Sequence, residues 1–247
     1  MSHHIVEARD LAHVYPDGHE AIRGITFRIA HGESVGVIGP NGAGKSTLLL
    51  HLNGCLLPSR GEVRVGEFPV TRETSPQVRR AVGMVFQDPD DQLFMPTVLD
   101  DVAFGPLNYG LAPDEARQRA VAALERVGMA NLQGQTPYRL SAGEKRAVAI
   151  ATVLAMTPDI LVMDEPSSNL DPRGRRRLIE LLKSFEHTRI IATHDLELVL
   201  EVCSRVILLD AGSVVTEGPA ADVMNDESLM LKHGLERPHS LRHKHPH

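Results

Sequence analysis

"SVGVIGPNGAGKSTLLLHLNG", residues 34–54, runs from a short apolar strand through a glycine-rich turn into a helix. Within it "GPNGAGKST" matches G-x-x-x-x-G-K-[ST], with Gly39, Gly44, Lys45 and Ser46 in the required places. Each position has a chemical reason. Glycines let backbone N–H groups wrap phosphate oxygens, the lysine reaches the terminal phosphates, and the hydroxyl beside it can ligate Mg²⁺. Pro40, Asn41, Gly42, Ala43 and Thr47 complete a loop expected to hold ATP. The strand before it and the helix after it supply the context the motif needs.

Upstream, "IVEARDLAHVY" and "ITFRIAHGE" read as an antiparallel start, with a turn at His31-Gly32. Val63 to Val70 and Val82 to Gln87 are two further strand candidates. From Asp88 to Met156 the pattern is helical. "TVLDDVAFGPL" is one helix, and "PDEARQRAVAALERVG" is a strongly amphipathic one, with proline at its start and Gly128 at its end. Strand signals return in "DILVMDE", "RIIATHD" and "RVILLD", separated by helical segments. Buried strands alternating with helices predict an α/β fold with a parallel sheet covered on both faces, and a helical stretch inserted into it.

A second motif belongs with the first. In "ILVMDEP" four apolar residues lead to Asp164, the usual place for an acid that polarises the shell of a bound Mg²⁺. Glu165 follows, where a carboxylate can orient an attacking water or accept its proton. "IIATHD" ends at the same edge of the sheet, placing His194 to bond a γ-phosphate or to hold Glu165. "LSAGEKRAVAIA", residues 140–151, adds another helix start, with Ser141 as its cap and Gly143 open to close approach. Such a start also attracts phosphate, through its free N–H groups and the helix dipole.

Taken together, these motifs resemble the nucleotide-binding domain of ABC transporters, over nearly the whole chain. Tyr15 in "VYPDG" is similar to the aromatic that stacks on adenine, and Gln87 to the loop glutamine that senses Mg²⁺ and the transmembrane partner. Leu140 to Glu144 resembles the family signature, Ser168 to Asp171 the loop after the Mg²⁺ strand, and His194 the switch histidine. The resemblance implies a P-loop NTPase with an antiparallel β subdomain and an inserted helical subdomain. Its core would be residues 1–87 and 157–235, its helical part 88–156, and residues 236–247 a disordered, histidine-rich tail. It implies ATP and Mg²⁺ as cofactors, with Ser46, Gln87 and Asp164 on the metal and Glu165 and His194 catalytic.

It also accounts for two phosphate-attracting turns in one chain. In this family the signature of one subunit caps ATP held by the P-loop of the other. Ser141, Ala142, Gly143 and Glu144 are therefore expected on a partner's ATP, in a head-to-tail pair of identical or sister subunits. The family's usual glycine and glutamine are replaced here by Ala142 and Glu144, which puts the rate of hydrolysis in question.

"FQDPDDQLFMPTVLDDVAFGP" resembles the ATPases of energy-coupling-factor importers, especially the cobalt and nickel group. There the pair docks on a transmembrane coupling protein through short arginine-bearing helices, beside a substrate-binding membrane subunit. Asp88, Asp90 and Asp91 would be the socket, since charge-assisted pairs supply register as well as energy. The resemblance implies a peripheral protein on the cytoplasmic face of the membrane.

Composition fits. The formal net charge is -6, so no global field draws the chain to nucleic acid. "AVAIATVLAM" is too short to span a bilayer, "MSHHIVEARD" turns charged too early for a signal peptide, and Cys55 and Cys203 lack a CxxC pattern. A soluble, cytoplasmic protein is expected. A DNA-repair or translation ATPase of the same superfamily would carry a coiled-coil insert or two cassettes, and a non-hydrolysing cassette would lack the intact Lys45, Asp164, Glu165 and His194. His233, His239, His243, His245 and His247 suit loose metal contact at most, with no fixed cage implied.

Overall fold

A computed structural model describes residues 4–242. The chain opens with β1 (His4–Val14) and β2 (Glu20–Ala30), enters β3 (Ser34–Ile38), and passes through the glycine-rich turn into α1 (Lys45–Leu52). Next come β4 (Arg60–Val65), β5 (Phe68–Pro69), α2 (Ser75–Ala81) and β6 (Val82–Val85). A helical stretch follows: a 3-10 turn at Pro89–Asp91, then α3 (Val98–Asn108), α4 (Pro113–Arg126) and α5 (Ala142–Leu154). Strand and helix then alternate through β7 (Ile160–Asp164), α6 (Pro172–Ser184), β8 (Thr188–Ala192), α7 (Leu196–Val202), β9 (Arg205–Asp210) and β10 (Ser213–Pro219). Three short helices finish it: α8 (Ala220–Asn225), α9 (Glu227–Lys232) and α10 (His239–Arg242).

Two sheets form. The smaller is antiparallel, in the order β2-β1-β4-β5; the larger runs β10-β9-β3-β8-β7-β6. In the larger sheet β9, β3, β8, β7 and β6 are parallel neighbours, and β10 adds an antiparallel edge. The helical stretch therefore leaves at the end of β6 and returns through β7, its direct neighbour.

Side-chain alternation decides what each face buries. Ile160 and Val162 of β7 join Val35 and Val37 of β3, against Leu48, Leu49 and Leu52 of α1 and Ile25 and Ile29 of β2. Leu161 and Met163 point the other way, onto Val148 and Ala151 of α5, Leu178 and Leu182 of α6, and Val199 of α7. Each of these buried valine, leucine, isoleucine and methionine side chains contributes roughly 1.5–3 kcal/mol. The strands carry unbroken apolar runs because both faces are dry. One cover is the antiparallel sheet together with α1, and the other is helical.

Two sequence expectations are corrected. Val63 to Val70 is not one strand: Gly66, at φ 56°, turns the chain back, and β4 and β5 pair as a hairpin with Val65 opposite Phe68. Nor are residues 236–242 a disordered tail. The Ser240 N–H and hydroxyl donate to the two carboxylate oxygens of Glu197, at 3.1 and 2.7 Å, and Leu241 packs on the helical side of the core. A polar composition did not reveal that its donors had a carboxylate waiting. His243, His245 and His247 lie outside the described residues. His233 is taken up by Asp210, with Nδ1 2.7 Å from Oδ2.

Candidate nucleotide site

The glycine-rich turn sits where β3 leaves the sheet. Gly39 is pressed against β9, and a Cβ there would collide with the Leu209 carbonyl. Gly44 caps α1 at φ 98°, where a Cβ would come within 2.6 Å of the Ala21 carbonyl. Gly42, at φ 77°, has open space on its Cβ side. Lys45 is buried and curls over the turn, donating to the Gly39 and Pro40 carbonyls at 2.8 and 3.0 Å. Burial lowers its pKa, against the pull of Glu165 and Asp164. The result is a row of α1 N–H groups behind a cation, an arrangement that binds phosphate.

One cavity of about 240 Å³ gathers the sequence-predicted site: Tyr15, Asn41 to Thr47, Gln87, Asp164 and Glu165 line it. Gly39 and Pro40 support it from behind through the Lys45 bonds. The Tyr15 hydroxyl is 3.0 Å from Thr47 Oγ1, which ties the aromatic to the phosphate helix.

Asp164 ends β7 with its carboxylate buried. Burial pushes its pKa up, while the Ser46 hydroxyl, Lys45 and Arg146 pull it down. Its Oδ1 has no hydrogen-bond partner. A buried carboxylate oxygen left over beside a serine hydroxyl fits Mg²⁺, a hard cation that takes oxygen ligands and keeps several waters. Ser46 and Asp164 would hold it, with Gln87 lining the same cavity.

Glu165 occupies a left-handed backbone position, φ 48°, and its N–H is bonded to the Ala192 carbonyl at 2.8 Å. Left-handed, non-glycine positions of this kind persist where surrounding bonds enforce them. The enforcing bonds come from the end of β8. Thr193 donates its hydroxyl to Oε2 at 2.9 Å, the His194 N–H donates to Oε1 at 3.1 Å, and His194 Nδ1 lies 2.8 Å from Oε2. Of the two roles open to His194, the structure displays the hold on Glu165.

Ser141 to Glu144 are not in this cavity. They line a separate groove of about 530 Å³ with Arg126, Arg173 and Leu178 among its other walls. Ser141 caps α5 in a reciprocal box: its hydroxyl accepts from the Glu144 N–H, and its own N–H and hydroxyl donate to Glu144 Oε2 at 2.9 and 2.7 Å. These bonds hold the Glu144 carboxyl below its usual pKa. Ala142 is the first helical residue, with an exposed methyl, so it strains nothing within the chain. Gly143 is equally undemanded by its own chain, since a Cβ there would make only ordinary contacts of 3.7 and 3.8 Å.

The acidic turn is more tied down than its sequence suggests. Asp88 caps the 3-10 turn by accepting from the Asp90 N–H at 2.9 Å, and Asp90 pairs with Lys145 at 2.6 Å. Asp88 and Asp91 border a groove of about 460 Å³ that also includes Gln87, Ser46 and Asp164.

Sequence reasoning missed three contributors. Thr193 is the residue before the predicted histidine, hidden because a threonine at a strand end usually means strand. Arg146, 2% exposed, donates to the Phe86 and Gln87 carbonyls. Its signal was available, as a cation inside the otherwise apolar face "RAVAIA". His19 lines the nucleotide cavity and carried no motif.

A parallel sheet with this loop and this acid pair defines a P-loop nucleoside-triphosphate-binding protein. The ABC transporter family model matches residues 22–168. An ABC transporter ATP-binding protein of Geobacter sulfurreducens is 64% identical over 242 residues, covering 98% of this chain and 97% of that protein. The energy-coupling factor transporter ATP-binding protein EcfA of Methanothermobacter thermautotrophicus is 46% identical over 239 residues, covering 95% of this chain and 77% of that one. Among solved structures, cbiO1 from Clostridium perfringens, part of the ABC transporter complex cbiONQ, superposes with a TM-score of 0.80 at 39% identity, covering 94% of each chain. The chain belongs to the ABC transporter ATP-binding family, and it is an ABC-type ATPase, as the sequence predicts. No helix among the described residues is long and apolar enough to cross a membrane.

Proposed function

We propose that this chain is the ATP-hydrolysing motor of an energy-coupling-factor importer, working as a head-to-tail pair on a transmembrane coupling protein, with cobalt or nickel ions as cargo. One observation carries the reading. Gln87, Ser46 and Asp164 line both the nucleotide cavity and the neighbouring groove bordered by Asp88 and Asp91. A partner segment in that groove would share walls with the nucleotide, which is what coupling requires. The likeness to EcfA and to cbiO1 supports the importer class, and the acidic turn's resemblance to the cobalt and nickel group supports the cargo.

In this reading the turn N–H groups and Lys45 bind the ATP phosphates, and Tyr15 takes the base. Mg²⁺, held by Ser46 and Asp164 with Gln87 beside it, supplies charge neutralisation on the phosphates. Glu165 orients the attacking water and takes its proton, while Thr193 and His194 fix its carboxylate. Ser141 and Gly143 act on the ATP of the second subunit. In support, nothing in this chain demands a glycine at 143, which suits an approach from outside it. Site of action is the cytoplasmic face of the membrane, by way of the coupling protein and a substrate-binding membrane subunit.

The test is to tag the chain, purify it gently from its host's membranes, and identify the partners and metals that come with it. A small multi-helix coupling protein accompanied by enriched nickel or cobalt is expected. Recovery of only soluble partners would overturn the importer reading, and another enriched cargo would overturn the metal.

A further inference from the structure

We propose that His19 is the second wall of a slot for the nucleotide's base, facing Tyr15 across it. The inference rests on the ATP reading above and adds a residue to it. The two rings are nearly parallel, at 16°, with centroids 6.4 Å apart. Stacked bases repeat at roughly 3.4 Å, so the centroid spacing, an upper limit on the gap between the ring planes, approaches the two stacking distances a base would need. A planar base between the rings would lie against both. Tyr15 and His19 line the same cavity as Lys45 and Thr47, so a base placed there belongs to a nucleotide whose phosphates reach the glycine-rich turn.

The slot is built, not incidental to a loose loop. The Tyr15 N–H donates to the His19 carbonyl at 2.9 Å, and the Gly18 N–H donates back to the Tyr15 carbonyl at 2.9 Å. The His19 N–H donates to Asp17 Oδ1 at 2.9 Å, and Gly18 makes the turn at φ 88°. These bonds fix the spacing of the two ring-bearing residues. Tyr15 is braced from behind as well. His13 meets its ring edge-on, at 4.7 Å and 84°. His51, completely buried on α1, donates from Nδ1 to the Thr47 carbonyl at 2.7 Å, which leaves Nε2 to accept from His13 Nδ1–H at 3.1 Å. The phosphate helix, the two histidines and the Tyr15 face thus form one braced unit. His19 stands opposite, and its imidazole makes no hydrogen bond among the described residues. Among the described residues its ring contact is with Tyr15. Such an imidazole is available for stacking, a sequence-tolerant interaction open to any base.

The test titrates the full chain, with Mg²⁺ present, using ATP and inorganic tripolyphosphate, which has the phosphates and no base. His19→Ala is expected to weaken ATP binding by about fivefold or more and to leave tripolyphosphate binding unchanged; His19→Phe keeps ATP within about twofold of wild type. Tyr15→Ala serves as the reference. If Tyr15→Ala weakens ATP selectively and His19→Ala does not, the slot is wrong and the ATP reading stands. Equal weakening of both ligands by His19→Ala would make the residue a shaper of the loop and overturn the proposal. If neither variant affects ATP, the base does not dock at this loop, and the assignment of Tyr15 falls with the proposal.

Discussion

The guanidinium of Arg146 donates to the backbone carbonyl of Gln87, bonding the helix that Ser141 caps and that carries Gly143 to a residue lining the nucleotide cavity. It also holds the Phe86 carbonyl at 2.8 Å. The Gln92 side chain adds bonds to the Ala149 carbonyl and Thr152 hydroxyl of α5, at 2.8 and 2.7 Å. Lys145–Asp90 closes the set. A displacement of Gln87 must therefore carry α5 with it. Burial depresses the Arg146 pKa, and Asp88, Asp164 and Glu165 counter it. Arg146→Met removes the charged donor from the Phe86 and Gln87 carbonyls and should cost about 1–3 kcal/mol in urea unfolding. Turnover should fall by about tenfold or more while ATP affinity of the single chain changes little. Arg146→Lys, which reaches one carbonyl, should fall between. Full turnover in Arg146→Met would disprove the link.

Thr193 bonds Glu165 and is not among the residues that line the nucleotide cavity. Thr193→Val keeps the side chain's shape and removes the hydroxyl that donates to Oε2 at 2.9 Å and accepts from the Asp195 N–H at 3.0 Å. The expected result is a loss of about tenfold in kcat with KM nearly unchanged, because the carboxylate is misplaced for the chemical step alone. Thr193→Ser should restore most of it. Steady-state ATPase kinetics of the three proteins decide.

His51 gives a pH dependence with a definite sign. Burial lowers its pKa from 6.5 to about 4. The folded state thus excludes a proton that the unfolded chain accepts. The stability is complete above pH 6.5 and falls as the pH drops from there towards 4, by at most about 3 kcal/mol. His51→Gln, which can still donate to the Thr47 carbonyl, should flatten this part of the pH–stability curve. Denaturant unfolding at pH 7 and pH 4.5 measures the difference.

Asp91 separates docking from hydrolysis more cleanly than Asp90, whose reversal would also break the Lys145 pair. Asp91→Lys should reduce recovery of the membrane partner by about tenfold, with the detached chain hydrolysing ATP as before. Undiminished recovery would remove the acidic turn from the interface.

The sequence disclosed the site where chemistry demands fixed residues close together along the chain. The loop at 39–47 and the pair Asp164-Glu165 are each a continuous motif at a strand end, so pattern and position agree. The mixed fold was legible for a related reason: strands buried on both faces carry unbroken apolar runs, residues 160–163 in β7 and 206–209 in β9. The unread parts are contacts across sequence distance. Arg146 meets Gln87 at a sequence separation of 59, and Ser240 meets Glu197 at one of 43; no local pattern announces either. The Gly66 turn was lost because Phe68, Pro69 and Val70 follow so soon after Val63 and Val65 that the apolar residues read as one run.

The most direct measurement is the mass of Glu165→Gln in solution, with and without Mg²⁺ and ATP, beside its turnover. The account predicts a single chain without nucleotide and a stable pair of twice the 27.0 kDa chain mass with ATP. It further predicts hydrolysis at least about a hundredfold below wild type. A variant that stays monomeric in ATP and hydrolyses it at the normal rate would contradict both the head-to-tail site and the role of Glu165.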